Sequence, residues 1–214
     1  ANFRPGVASW VYRTYGERDG LTIDPCAGFG GRLVGWLASK IGGRYLGWDP
    51  YVEAVEGNRR MIGDLGVEDR AEIVNEPFED ASIDLHEGHA GLVFTSPPYF
   101  CKEHYGEDPG QSYLRYADYD AWLDGFLAGL IDRSWSWLKP GRYLVLNVAN
   151  VLIRGQVVKV ADDTVRLSNK RGFDLVTVST FHFGARQGAT GAKKRGNEVQ
   201  SGEPIYVFKK PEGE

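Results

Sequence analysis

Apolar positions along the chain switch repeatedly between two spacings. Residues 21–24, 45–49, 71–75 and 91–95 are short runs rich in β-branched and aromatic residues, the length and character of strands. Between the first two, residues 31–41 place Leu33, Trp36, Leu37 and Ile41 at helical spacing. Residues 51–65 repeat that pattern with Val52, Val55, Met61 and Ile62, and Gly66 supplies a stop. A long helix is predicted over 119–137, then a Lys139-Pro140-Gly141 turn and a strand over 142–147. Two further β runs, 173–182 and 205–209, flank a glycine-rich stretch and suit a terminal hairpin, whereas 151–170 fits neither pattern. Strands alternating with helices imply a mostly parallel sheet covered on both faces, and the closing pair adds an antiparallel edge. The expected fold is a doubly wound α/β domain.

Composition narrows the function classes. With 214 residues, 42% of them hydrophobic, the chain can bury a sizeable core and is expected to form a single domain over 1–214. No apolar run approaches the roughly 18 residues of a membrane span, and no signal peptide is evident, so a soluble, cytoplasmic protein is expected. The chain starts at Ala1 rather than a methionine, which leaves room for a preceding segment. Two cysteines, Cys26 and Cys101, are too few for a disulfide framework or a zinc cluster. A net charge of −4 argues against a protein that coats nucleic acid without specificity, but allows a local basic patch.

In such sheets ligands bind at the carboxyl ends of the strands, so the residues that follow each run carry the candidate chemistry. The first run ends in D-P-C-A-G-F-G-G, residues 24–31. Gly28, Gly30 and Gly31 allow a tight turn and let a ligand approach without meeting a Cβ, although a plain strand-to-helix turn would use glycines in the same way. The second run ends at Asp49, about 20 residues on, the spacing at which a carboxylate takes the two hydroxyls of a ribose. Asp49 is equally placed to cap the helix that follows. Together these residues point to an adenosine-type cofactor.

The fourth run leaves its strand as T-S-P-P-Y-F, residues 95–100. The Ser96 oxygen and the Pro97 carbonyl both accept hydrogen bonds, while Pro97 and Pro98 supply no N–H and hold φ fixed. Such an acceptor-only corner suits an NH₂ group, and Tyr99 offers a flat face for a planar ring. The plainer account is a structural turn with a buried tyrosine. Phe100 either supports Tyr99 or belongs to the core. After residue 182 a glycine-rich stretch carries Arg186, Lys193, Lys194 and Arg195, which would grip phosphates as a flexible arm or simply be solvated. Residues 101–119 are rich in aromatics and charge and could line a target channel or cover it. The H-E-G-H stretch at 86–89 is not the H-E-x-x-H zinc pattern, so no metal is expected.

D-P-C-A-G-F-G-G followed by T-S-P-P-Y-F resembles the S-adenosylmethionine-dependent DNA amino-methyltransferases. The likeness implies a Rossmann-like class I methyltransferase fold on a seven-stranded sheet, S-adenosylmethionine as cofactor with S-adenosylhomocysteine as product, and methyl transfer to the exocyclic amine of a DNA base. The serine form of the tetrapeptide is commoner among enzymes acting on cytosine N4, and Asp or Asn forms among those acting on adenine N6. Cytosine N4 therefore leads. Adenine N6, an RNA or small-molecule amine, and a non-catalytic cofactor-binding subunit remain the alternatives. The stretch N-F-R-P-G-V-A-S-W is similar to the family's N-terminal cofactor segment, and E-P-I-Y-V-F-K-K to its closing strand.

By this resemblance Ser96, Pro97, Pro98 and Tyr99 form the catalytic corner. Asp24, Cys26, Gly28 and Gly30 surround the methionine portion of the cofactor, Asp49 takes its ribose, and Glu76, Pro77 and Phe78 its adenine. Phe29 lies over the cofactor, and Phe3 and Pro5 close the pocket. Cys26 stands where the family more often has an aromatic residue, and Cys101 lacks the Pro-Cys context of enzymes that attack cytosine C5 covalently. A base in a duplex would have to be flipped out, or already single-stranded. The family's DNA enzymes usually add a target-reading region that is not visible here, so either the loops after Phe100 and His182 read the target, or another chain or a lost segment does, or specificity is low.

Overall fold

The computed structural model describes residues 3–83, 85, 87–101, 104–153, 155–181 and 203–213. Helix α1, Pro5–Tyr15, opens with proline at its first turn, where the missing N–H costs nothing. There follow β1 (Leu21–Asp24), α2 (Gly31–Ser39), β2 (Arg44–Trp48), α3 (Val52–Asp64), β3 (Ala71–Val74) and β4 (Ala90–Thr95). Short helices α4 (Ser112–Arg115) and α5 (Tyr119–Trp122) lead into α6 (Ala128–Trp137), then β5 (Leu138–Asn147). The chain closes with β6 (Val151–Ile153), β7 (Gln156–Val158), α7 (Val160–Arg171), β8 (Asp174–Phe181) and β9 (Glu203–Lys209).

The main sheet has seven strands in the order β3-β2-β1-β4-β5-β9-β8. All pairings from β3 to β5 are parallel; β9 runs antiparallel to both β5 and β8. The fold is thus the expected doubly wound sheet, with the terminal hairpin built into it so that β9 is interior and β8 is the edge. Successive side chains of a strand point to opposite faces, and they feed two separate cores. Leu92 and Phe94 pack under α1, α2 and α3 with Tyr12, Leu33 and Trp36. Val93, Leu144 and Leu146 pack under α5, α6 and α7 with Trp122, Leu127 and Leu130. β4 is buried along its whole length, which is why its sequence is continuously apolar.

Two stretches depart from the sequence reading. The stretch over 151–170 that matched no pattern is the β6–β7 hairpin and most of α7, pieces too short or too polar to show a period. The long helix expected over 119–137 is interrupted by a π-helical segment, Leu123–Leu127. A single inserted residue shifts the helix face without breaking apolar periodicity, so a pattern count misses it. Gly125 lies in that segment beside the Tyr116 ring, where an added Cβ would sit 2.1 Å from the ring.

Gly35 holds the contact between α1 and α2. A Cβ there would lie 2.4 Å from Ala8 Cβ and 2.7 Å from the Pro5 carbonyl oxygen. Gly35→Ala is therefore expected to destabilise the protein by about 1–3 kcal/mol through overpacking, although alanine is the better helix former. Urea unfolding of the two proteins would show it, and an unchanged or raised midpoint would contradict the contact.

Candidate active site

The strand order reverses between β1 and β4: from β1 the chain builds outward to β2 and β3, and from β4 to β5 on the other side. In open α/β sheets the crevice at such a reversal is where ligands bind. The glycine turn follows β1 and the proline corner follows β4, so the topology brings them together. Both open onto one cavity of about 300 Å³, lined by Gly28, Phe29 and Asp49 on one side and Ser96, Pro98 and Tyr99 on the other.

Asp24 holds the two strand ends in place. It is completely buried and does not line the cavity. Its Oδ2 accepts from Arg32 Nε at 2.8 Å and from the Tyr45 hydroxyl at 2.6 Å. Its Oδ1 accepts from Thr95 Oγ1 at 2.8 Å and from the Cys26 N–H at 3.3 Å. Thr95 Oγ1 in turn accepts from the Cys26 N–H at 3.0 Å. One carboxylate thus ties together the ends of β1 and β4, β2 through Tyr45, and α2 through Arg32. Asp24, expected beside the methionine portion of a cofactor, instead sits one layer behind the wall. Arg32 reaches that wall, with its guanidinium over the Phe3 ring at 5.4 Å and bonded to the Cys26 carbonyl.

The glycine turn is shaped from the α3 side. Gly28 has φ +55° and Gly30 φ +81°, both in the left-handed region. A Cβ on Gly30 would meet Asn58 Oδ1 at 2.3 Å, so this glycine serves close packing and does not line the cavity. A Cβ on Gly28 would meet nothing nearer than 3.9 Å, so its side faces open space. Asn58 Nδ2 donates to the Gly28 carbonyl at 2.6 Å. Asp49 Oδ2 accepts from the Gly28 N–H at 2.8 Å, and Oδ1 from the Tyr51 N–H at 2.9 Å at the start of α3. Asp49 thus braces the chain just before α3, whose N-cap is Tyr51, without itself capping the helix, and its carboxylate, which lines the cavity, keeps two further lone-pair sites. Burial raises the Asp49 pKa to about 6, against the lowering effect of those two N–H groups.

Phe29 is 51% exposed at the mouth, edge-on to Tyr51 and Tyr105. Phe3 lines the cavity; Pro5 does not, being the exposed first residue of α1. Cys26 lines it too. Burial, with Asp49 and Asp24 nearby, pushes its thiol well above the usual range, so it is not a thiolate nucleophile.

At the proline corner Ser96 Oγ lies 3.2 Å from Asn147 Oδ1 and 3.3 Å from the Asn147 carbonyl oxygen. Pro97 is buried and, unlike Ser96, Pro98 and Tyr99, does not line the cavity. Phe100 has φ +34°, a conformation unfavourable for an aromatic residue, and packs on Tyr119 and Trp122. It anchors the corner to the core from behind.

The end of β3 differs most from expectation. Pro77 and Phe78 line the cavity, but Glu76 turns away: its Oε1 accepts from Trp48 Nε1 and from the Ser82 N–H and hydroxyl. Glu79 takes the place at the wall. Its Oε1 is paired with Arg115 and accepts from the Tyr116 hydroxyl at 3.3 Å, while buried Oε2 has no hydrogen-bond partner among the described residues. Gln111, 5% exposed and also on the wall, has an Nε2 in the same condition. Sequence reading missed Arg32, Glu79, Gln111 and Asn147. Asn147 stands at the end of β5, where the rule that exposed the other strand ends would have found it. Gln111 carries no comparable signal. Residues 101–119 do contribute to the wall, through Tyr105, Gly110, Gln111 and Ser112. Arg186, Lys193, Lys194 and Arg195 lie outside the described residues.

No protein-family model and no curated protein sequence matches the chain, whereas solved structures do. The cyclase SpnF superposes with a TM-score of 0.66 at 12% identity, over 98% of this chain and 82% of that one. A geranyl diphosphate methyltransferase in complex with S-adenosylmethionine gives 0.65 at 12% identity, over 96% and 84%. Geranyl diphosphate C-methyltransferase from Streptomyces coelicolor A3(2), with Mg²⁺, geranyl diphosphate and S-adenosylhomocysteine bound, gives 0.60 at 12% identity, over 82% of this chain and 62% of that one. The chain therefore spans about three fifths of the latter's length. At such identity the likeness establishes architecture, and that architecture is the Rossmann-like class I methyltransferase fold.

Removing Asp24 would strand the buried Arg32 guanidinium without its partner. Asp24→Ala is expected to cost about 3–5 kcal/mol of stability in urea unfolding, and Asp24→Ala combined with Arg32→Met markedly less. Equal losses in the two variants would show that the ion pair is not what holds the strand ends.

Proposed function

We propose that the protein transfers a methyl group from S-adenosylmethionine to the exocyclic amino group of a nucleobase, cytosine N4 of DNA foremost. The observation that carries this reading is the single cavity shared by the Gly28–Asp49 wall and the Ser96–Tyr99 corner. The residues present suit the cofactor. Gly28 leaves the wall open to a chain passing closely, Asp49 keeps lone pairs for ribose hydroxyls, and Pro77 and Phe78 form a flat apolar slot for an adenine ring. The unpartnered Glu79 Oε2 and Gln111 Nε2 match an edge that presents an N–H beside a ring nitrogen, as adenine does. When bound, the cofactor supplies an electrophilic methyl on a sulfonium.

The chain's own part is orientation. An aromatic amine is a poor nucleophile because its lone pair is delocalised into the ring; a hydrogen bond from the amine to Ser96 favours the pyramidal nitrogen that exposes the lone pair. Ser96 is the acceptor of the corner that lines the cavity. Tyr99 would stack on a base extruded from its helix, recovering about 1–3 kcal/mol. The wall offers no thiolate, because the Cys26 thiol stays protonated, so direct transfer is favoured over a covalent intermediate.

A second reading is a methyltransferase for a small molecule. It is supported by the structural neighbours named for geranyl diphosphate and by the modest size of the cavity. Incubation with labelled S-adenosylmethionine and duplex DNA, single-stranded DNA, RNA or small amines, followed by mass spectrometry of the product, decides between them. Methylcytosine in DNA supports the first reading, and label confined to small molecules replaces it with the second. Ser96→Ala is expected to lower kcat about 10²-fold with cofactor affinity unchanged; an unaltered rate would discard the Ser96 mechanism.

Ribose hydroxyls donate best to an ionised carboxylate. With Asp49 titrating at about 6, affinity for S-adenosylhomocysteine is expected to be full above that pH and to fall as pH drops through it. Asp49→Asn should bind weakly and with little pH dependence between 5 and 8 by calorimetry. A flat wild-type profile would remove Asp49 from the ribose contact.

A further inference from the structure

Ser96 lines the cavity, and its hydroxyl proton has acceptors behind it. Among the described residues the oxygens within its reach, Oδ1 at 3.2 Å and the backbone carbonyl at 3.3 Å, both belong to Asn147. The Asn147 carboxamide does not offer its nitrogen instead, because Nδ2 donates to the Pro204 carbonyl at 2.9 Å. Asn147 is 6% exposed and Pro204 is buried, which shields this chain of contacts from bulk water. A hydroxyl has one donor and two lone pairs. With the donor spent on Asn147, only lone pairs are left for a ligand.

We infer that Asn147 is a positioning residue: held by the Pro204 carbonyl, it fixes Ser96 as an acceptor and so makes the cavity select a methyl acceptor that brings an N–H over one that brings a keto oxygen. The inference deepens the nucleobase reading and rests on it. A freely rotating serine would give its proton to a 4-oxo pyrimidine as readily as it would accept from a 4-amino pyrimidine. A serine whose proton is engaged cannot, and a keto oxygen placed against its lone pairs is left unpaired and repelled.

The test is a ratio of affinities. Two fluorescent single-stranded oligodeoxynucleotides, identical except for one cytosine or one uracil flanked by abasic spacers, are titrated with the protein in the presence of S-adenosylhomocysteine. The wild type is expected to bind the cytosine strand about tenfold more tightly. Asn147→Leu, which leaves the Ser96 proton only the backbone carbonyl of residue 147, should lower the ratio. Asn147→Asp, which removes the Nδ2–H that the Pro204 carbonyl accepts, should lower the ratio as well. Ser96→Ala should abolish it, with Asn147→Leu adding nothing in that background. A merely structural loss would weaken both strands alike and leave the ratio unmoved. Should Asn147→Leu fail to fold, Asn147→Asp and Ser96→Ala carry the test. A wild-type ratio of one, or a ratio unchanged in Asn147→Leu and Asn147→Asp, overturns the inference while leaving the nucleobase reading in place. If neither strand binds although S-adenosylhomocysteine does, the nucleobase reading falls and this inference with it.

Discussion

A fully buried carboxylate at the point where the sheet changes direction is the constraint on which the site depends. Asp24 cannot be desolvated at tolerable cost unless its oxygens are fully bonded, and the partners that satisfy it come from four elements: Arg32 from α2, Tyr45 from β2, Thr95 from β4 and the Cys26 amide from the turn itself. Satisfying the charge therefore fixes the spacing of the β1 and β4 ends. The wall that takes the cofactor in our proposal and the corner that takes the amine are thereby set at one distance. Glycine shapes the turn, but the acid behind it sets its place.

Much of this was legible in the sequence, and the parts that were not share a physical reason. The strands β1 to β5 announced themselves because each is buried on one or both faces and so apolar. β6, β7 and α7 did not, because hairpin strands of three residues and a solvated helix have no period to read. Strand ends located Gly28, Asp49, Ser96 and Tyr99 on the cavity. Asp24, Gly30, Glu76 and Pro97, close to them in sequence, are not among the residues that line it. Sequence tells which loop carries a side chain; it does not tell which way the loop faces. Glu76 and Glu79 lie one turn apart, and only the bonds of Glu76 to Trp48 and Ser82 decide which of them meets the cavity.

The electrostatic character of the cavity is also narrower than its residue list suggests. Cys26 is held protonated, the Ser96 proton is engaged, and Glu79 and Gln111 present one acceptor and one donor. In the reaction proposed above, such a set would serve to hold a nucleophile still, with the driving force residing in the cofactor.

The interior position of β9 has a consequence for biosynthesis. Asn147 is complete only when Pro204 lies beside it, and Pro204 introduces the strand that slots between β5 and β8. Strands β1 to β5 precede it in the chain, yet the contact behind the serine corner is supplied by a residue more than fifty positions downstream. A polypeptide released before β9 would carry every residue of the corner without the contact that holds Asn147.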